Sequence, residues 1–209
     1  VHTALKAQIQ PGDVVAVQGS GTMGLCSIAA IRKFTDAGTV IAAAKYPLQR
    51  SLAEEFGADI VVEPSELKRA VRQITGCRMI GNSLSGGSNV TIDAVGSASS
   101  IETSLEITRP RGRLVMLGMP GVTKVDLTPL WHREIEMVGS YTYGTETLPD
   151  GTVTNSYALA FELVREMRLD QLVTDLYPLD RYKQAIRHAA EAGSLGAIKV
   201  AFDLRGEKR

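Results

Sequence analysis

An unbroken apolar run, Val14 to Val17, leads almost directly into Gly19-Ser20-Gly21-Thr22-Met23-Gly24, after which apolar positions recur at helical spacing to about Phe34. A strand that apolar is buried on both faces, which calls for helices on either side and a mostly parallel sheet. A G-x-G-x-x-G loop between such a strand and a helix gives each glycine a task. Gly19 permits the tight turn, Gly21 lets backbone approach a diphosphate, and Gly24 lets helix pack on strand. The N–H groups and dipole at the start of the helix favour an anion there. The expected ligand at Gly19, Ser20, Gly21, Thr22, Met23 and Gly24 is therefore a diphosphate.

The same alternation continues along the chain. Strands are expected at residues 39–44, 59–62, 90–93, 113–118 and 135–139, and helices near 47–56, 66–74, 100–108 and 127–132. Gly57 and Gly76 stand where helix C-caps belong. Residues 76–88, rich in Gly and Ser, exceed the usual connection of about 2–6 residues, and a mobile insertion is expected there. Six strands in this series imply an α/β fold with a doubly wound parallel sheet of the Rossmann type. After Pro149-Asp150-Gly151 the order changes to a helix at 157–168, an extended segment, a helix at 181–192 and a strand at 198–202. The expected division is a dinucleotide-binding domain over 1–145 and a C-terminal helix-and-strand appendage over 146–209.

Composition narrows the partners. Lys+Arg and Asp+Glu balance at 23 each, so the chain has no net field to hold nucleic acid. Its apolar stretches fall short of the roughly 20 residues a membrane span needs. Cys26 and Cys77 lack metal-ligand spacing and read as reduced thiols, which suggests a cytoplasmic setting and no metal site in this chain. His2, His132 and His188 are scattered, and neither Ser20 nor Ser140 lies in G-x-S-x-G, so no catalytic residue is expected. The opening Val1-His2-Thr3 lacks an initiator Met and a signal sequence, and reads as part of something longer.

The cofactor choice turns on the end of the second strand. A carboxylate that binds the ribose 2′-hydroxyl is usual there, but this chain reads Ala42-Ala43-Ala44-Lys45-Tyr46. Without that anion a 2′-phosphate fits near Ala44, paired by Lys45 or Arg50. NADP is thus expected ahead of NAD. Methyltransferases also use a glycine-rich turn on a parallel sheet, but they usually need an acid where Ala44 stands.

Beyond the loop, Pro11-Gly12-Asp13-Val14-Val15, Leu52-Ala53-Glu54-Glu55-Phe56-Gly57-Ala58-Asp59, Asp93-Ala94-Val95-Gly96, Arg111-Gly112-Arg113 and Gly118 together resemble the coenzyme domain of the medium-chain dehydrogenase/reductase superfamily, the zinc-type alcohol dehydrogenases. Tyr177-Pro178-Leu179-Asp180, Ala185 and Ala197-Ile198-Lys199-Val200 are similar to that family's C-terminal segment, which completes its catalytic domain. The resemblance implies that Val95, Gly118, Met119, Ser140 and Tyr141 line the nicotinamide and its ribose, and that Lys199 reaches the pyrophosphate. It implies hydride transfer to or from a small alcohol or carbonyl substrate, with zinc held by an N-terminal domain that would precede Val1; this part alone is expected to be inactive. It also implies a homodimer through the strand from Ile135 to Gly139, near Trp131, which could equally fill the core. Zinc-free quinone and enoyl reductases share the coenzyme domain, and a non-catalytic NAD(P)H-sensing module is a further alternative.

Overall fold

The computed structural model describes residues 1–148 and 150–205; Pro149, the first residue of the expected boundary turn, lies outside them. The chain begins with α1 (His2–Lys6), β1 (Val14–Gln18), α2 (Thr22–Phe34), β2 (Thr39–Ala43), α3 (Pro47–Glu55), β3 (Ile60–Val62) and α4 (Leu67–Thr75). It continues through β4 (Met79–Ile80), β5 (Ser83–Leu84), β6 (Ser88–Asp93), α5 (Ala98–Ile107), β7 (Thr108–Met116), α6 (Thr128–His132) and β8 (Glu136–Gly139). The last part holds β9 (Thr145–Thr147), β10 (Val153–Asn155), α7 (Ser156–Met167), β11 (Val173–Tyr177), α8 (Tyr182–Ala190) and β12 (Lys199–Phe202).

Six strands form one sheet in the order β3-β2-β1-β6-β7-β8, and every pair in it is parallel. The expected doubly wound α/β fold is therefore present. Alternate residues of each strand serve opposite faces. Val15, Val17, Val40, Ala42, Ile92 and Val115 pack with Leu25, Ile28 and Ala29 of α2. Ala16, Ile41 and Ala43 pack with Leu67, Ala70 and Val71 of α4. Burying one such Leu or Ile contributes about 1.5–3 kcal/mol, so the two layers rather than helix propensity hold α2 and α4 in place. Leu163, Leu169 and Leu172, which lie beyond residue 145, are buried in the same cluster as β1. β11 and β12 pair in parallel as a separate two-stranded sheet.

Residues 76–88, expected as a mobile insertion, carry regular structure. They fold as the β4–β5 hairpin, with Leu84 fully buried against α4. Arg133, itself buried, donates to the carbonyls of Leu84, Gly86 and Thr108 and so ties this hairpin to β7. Burial pushes the Arg133 guanidinium below its ordinary value. Trp131 does not fill the core, for it is 80% exposed. The hairpin β9–β10 and the short α1 were not expected, because neither carries an amphipathic repeat long enough to register in sequence.

Candidate dinucleotide site

The strand order reverses between β1 and β6, and ligands of open α/β sheets bind at the carboxyl ends of the strands at such a point. The loop after β1 and the loop after β6 meet there. Gly19 takes φ +90°, and a Cβ on it would lie 2.5 Å from Val95 Cγ2. A Cβ on Gly24 would lie 1.8 Å from the Gly19 carbonyl oxygen, so only glycine lets α2 start against the loop. Ser20 pins the loop to β2 by donating to the Ala43 carbonyl at 3.0 Å. Gly21 differs from both: its φ is −75° and nothing lies within 4 Å of its would-be Cβ. Neither backbone conformation nor internal packing demands a glycine at 21. The cradle at the N-terminus of α2 is thus open, a geometry that suits the diphosphate expected from the sequence.

Across the crevice, Asp93 ends β6 fully buried, and its carboxylate accepts the N–H groups of Val95 at 2.8 Å and Gly96 at 3.0 Å and the Ser100 hydroxyl at 2.9 Å. That brace fixes Val95, whose exposed side chain faces the crevice wall beside Gly19. Gly118, after β7, packs so closely on the loop after β6 that a Cβ there would lie 2.3 Å from the Gly96 nitrogen. Val95, Gly118 and Met119 are thus brought together on one side of the crevice. Ser140 follows β8 and shares a 2.9 Å hydrogen bond with Thr3, while Tyr141 beside it is exposed. The C-terminal segment approaches from above, for Thr22 at the start of α2 donates to the Ile198 carbonyl at 3.2 Å. This places Lys199, which is exposed, next to the glycine loop in space.

On the β2 side a cleft of about 570 Å³ is lined by Gly19, Ser20, Gly21, Lys45 and Val95. The two basic candidates differ. Arg50 is already engaged: it pairs with Glu63 and donates to the carbonyls of Ala44 and Lys45. Lys45 is exposed, stands 5.4 Å from the centre of the Tyr46 ring, and forms no ion pair among the described residues. Gln18, Tyr46, Pro64, Ala94 and Ser97 also line this cleft and escaped sequence reasoning. The one signal available was Gln18, a polar residue closing an apolar strand directly before the loop. Among the described residues, no group of three or more His, Cys, Asp or Glu is placed to hold a metal ion.

The chain is 33% identical over 207 residues to a probable D-xylulose reductase A of Arthroderma otae, covering 97% of this chain and 54% of that protein. It is 26% identical over 197 residues to the sorbitol dehydrogenase of Bacillus subtilis, covering 91% and 50%. Among solved structures, L-idonate 5-dehydrogenase from Escherichia coli superposes with a TM-score of 0.70 at 26% identity, over 95% of this chain and 52% of that one. The chain therefore spans about half the length of the curated relatives it matches. The profile of the zinc-binding dehydrogenases matches residues 22–156, and the chain belongs to that family.

Proposed function

We propose that this chain is the coenzyme-binding part of an NAD(P)-dependent oxidoreductase that interconverts an alcohol and a carbonyl compound. The observation that carries the reading is the pair Gly21 and Gly24. One glycine is enforced by packing, while the other is left open at a helix N-terminus in the crevice where such sheets bind ligands. The names of the relatives point to polyols and their ketones as the substrate class. Residues 1–145 would hold the cofactor and 146–209 would complete a catalytic domain. Zinc would be held by other parts of the parent protein. The unpaired Cys26 and Cys77 suit a cytoplasmic setting, and no helix among the described residues is long and apolar enough to cross a membrane. The open edge of β8, next to the exposed Trp131, suits a homodimer.

Within this reading, the α2 N-terminus and Lys199 hold the pyrophosphate and Lys45 the adenosine ribose. Val95, Gly118, Met119, Ser140 and Tyr141 flank the nicotinamide and limit its access to water. The nicotinamide ring supplies the hydride acceptor or donor, and the chain contributes its orientation. NADP(H) is proposed ahead of NAD(H) because Ala44 offers no carboxylate and Lys45 has no anionic partner among the described residues. Calorimetric titration of the chain with NADPH and NADH, repeated on Lys45→Ala, tests this. NADPH should bind about tenfold tighter, a difference of about 1.4 kcal/mol that Lys45→Ala removes. Equal binding of the two cofactors would overturn the NADP assignment, and binding of neither would overturn the dinucleotide reading itself.

A further inference from the structure

The polar floor of the cleft is not accounted for by phosphate or ribose. Gln18 closes β1 and is paired in register with Ala43 on one side and Asp93 on the other. The residue is 7% exposed, lines the cleft, and carries an Oε1 that is sealed from solvent and has no hydrogen-bond partner among the described residues. A buried acceptor left unpaired is destabilising. Its neighbours are committed elsewhere. The Ser20 hydroxyl donates to Ala43, the Ser100 hydroxyl donates to Asp93, and the Asp93 carboxylate can only accept. None of these groups has a donor left for the amide oxygen, while each can still accept from an amide nitrogen.

The layout of the cleft says which part of a dinucleotide that is. The diphosphate belongs at Gly21 and the start of α2, and the ribose at the end of β2. The remaining space lies over Gln18, between Tyr46 and Pro64 on one side and Ala94 and Ser97 on the other, and it receives the base. Adenine presents an exocyclic amine, a donor, beside ring nitrogens that accept. A carboxamide presents an acceptor beside a donor, the complementarity by which glutamine pairs with adenine in nucleic-acid recognition. A half-turn about the Cγ–Cδ bond exchanges Oε1 and Nε2, turning the nitrogen toward these accepting neighbours and the oxygen toward the cleft, where only an occupant can supply its donor.

We propose that the Gln18 carboxamide accepts a hydrogen bond from the adenine 6-amino group and makes this pocket selective for a 6-aminopurine dinucleotide. The proposal rests on the dinucleotide reading above. It is tested by fluorescence titration of the chain with NADPH and with its analogue in which purine replaces adenine, the 6-amino group being exchanged for hydrogen. The wild-type chain should prefer NADPH about tenfold, as expected for one buried hydrogen bond made or missed. In Gln18→Leu the preference should fall to one or below, since neither ligand then finds an acceptor. Equal affinity of the wild-type chain for both ligands overturns the proposal while leaving the dinucleotide site standing, and so does a tenfold preference that survives Gln18→Leu. Binding of neither ligand overturns the dinucleotide reading and this proposal together. The wild-type comparison needs no substitution, so a variant that fails to fold does not decide the outcome.

Discussion

Substituting the second and third loop glycines by alanine separates packing from ligand binding within one short motif. In Gly24→Ala the new methyl would lie 1.8 Å from the Gly19 carbonyl oxygen and 2.9 Å from its carbon, both backbone atoms that cannot rotate aside. Overpacking a tight site costs about 1–3 kcal/mol, and with only backbone to yield the upper end applies. At about 2–4 °C per kcal/mol for a chain of this size, Gly24→Ala should lower Tm by about 6–12 °C. Gly21→Ala meets nothing within 4 Å, and φ −75° with ψ −172° is open to any residue. Removing a glycine at a compatible position stabilises by about 0.4–1 kcal/mol through the unfolded chain, so Tm should hold or rise slightly. Its methyl instead occupies the space assigned to the diphosphate, and NADPH affinity should fall tenfold or more, on the order of 1.4 kcal/mol. Thermal denaturation followed by circular dichroism, together with calorimetric titration, measures both quantities. A Gly21→Ala chain that loses as much stability as Gly24→Ala, or that keeps full affinity for the cofactor, would refute this separation.

Two further outcomes follow from particular side chains. Glu63 holds Arg50 and places a negative charge beside the end of β2, so Glu63→Gln should free the guanidinium and raise NADPH affinity about tenfold with little effect on NADH; an unchanged NADPH to NADH ratio would show that Arg50 lies out of reach of the phosphate. Arg133→Met leaves the carbonyls of Leu84, Gly86 and Thr108 without their buried donor, and should cost about 3–5 kcal/mol in urea unfolding; a loss below about 1 kcal/mol would mean that water replaces the guanidinium.

The parts of this fold legible in sequence are those with a one-to-one physical cause. The run from Val14 to Val17 reads as a two-face-buried strand because only that environment accepts four apolar side chains in succession, and β1 has Val15, Ala16 and Val17 fully buried. The α2 boundaries, Thr22 and Phe34, follow from the glycine loop before the helix and the end of its apolar face. Arg133 was illegible because its role depends on three carbonyls from segments 25 to 49 residues away, and nothing local separates it from a surface arginine. Arg50 was legible as a cation but not as one already paired, since Glu63 lies 13 residues on and meets it only through the β2–β3 pairing. Gln18 was passed over for a similar reason. A polar residue at a strand end is unremarkable until its register with Asp93 and the sealing of its oxygen are known.

The central claim, that the crevice between β1 and β6 holds a nicotinamide dinucleotide, is tested most directly by amide hydrogen exchange with and without saturating NADPH. Bound NADPH should slow exchange at the glycine loop and first turn of α2, residues 19–25, at residues 94–97 after β6 and 45–46 after β2, and at residues 118–119, 140–141 and 199, which flank the nicotinamide and the pyrophosphate. An exchange pattern unchanged by NADPH, or protection placed elsewhere on the chain, would contradict it.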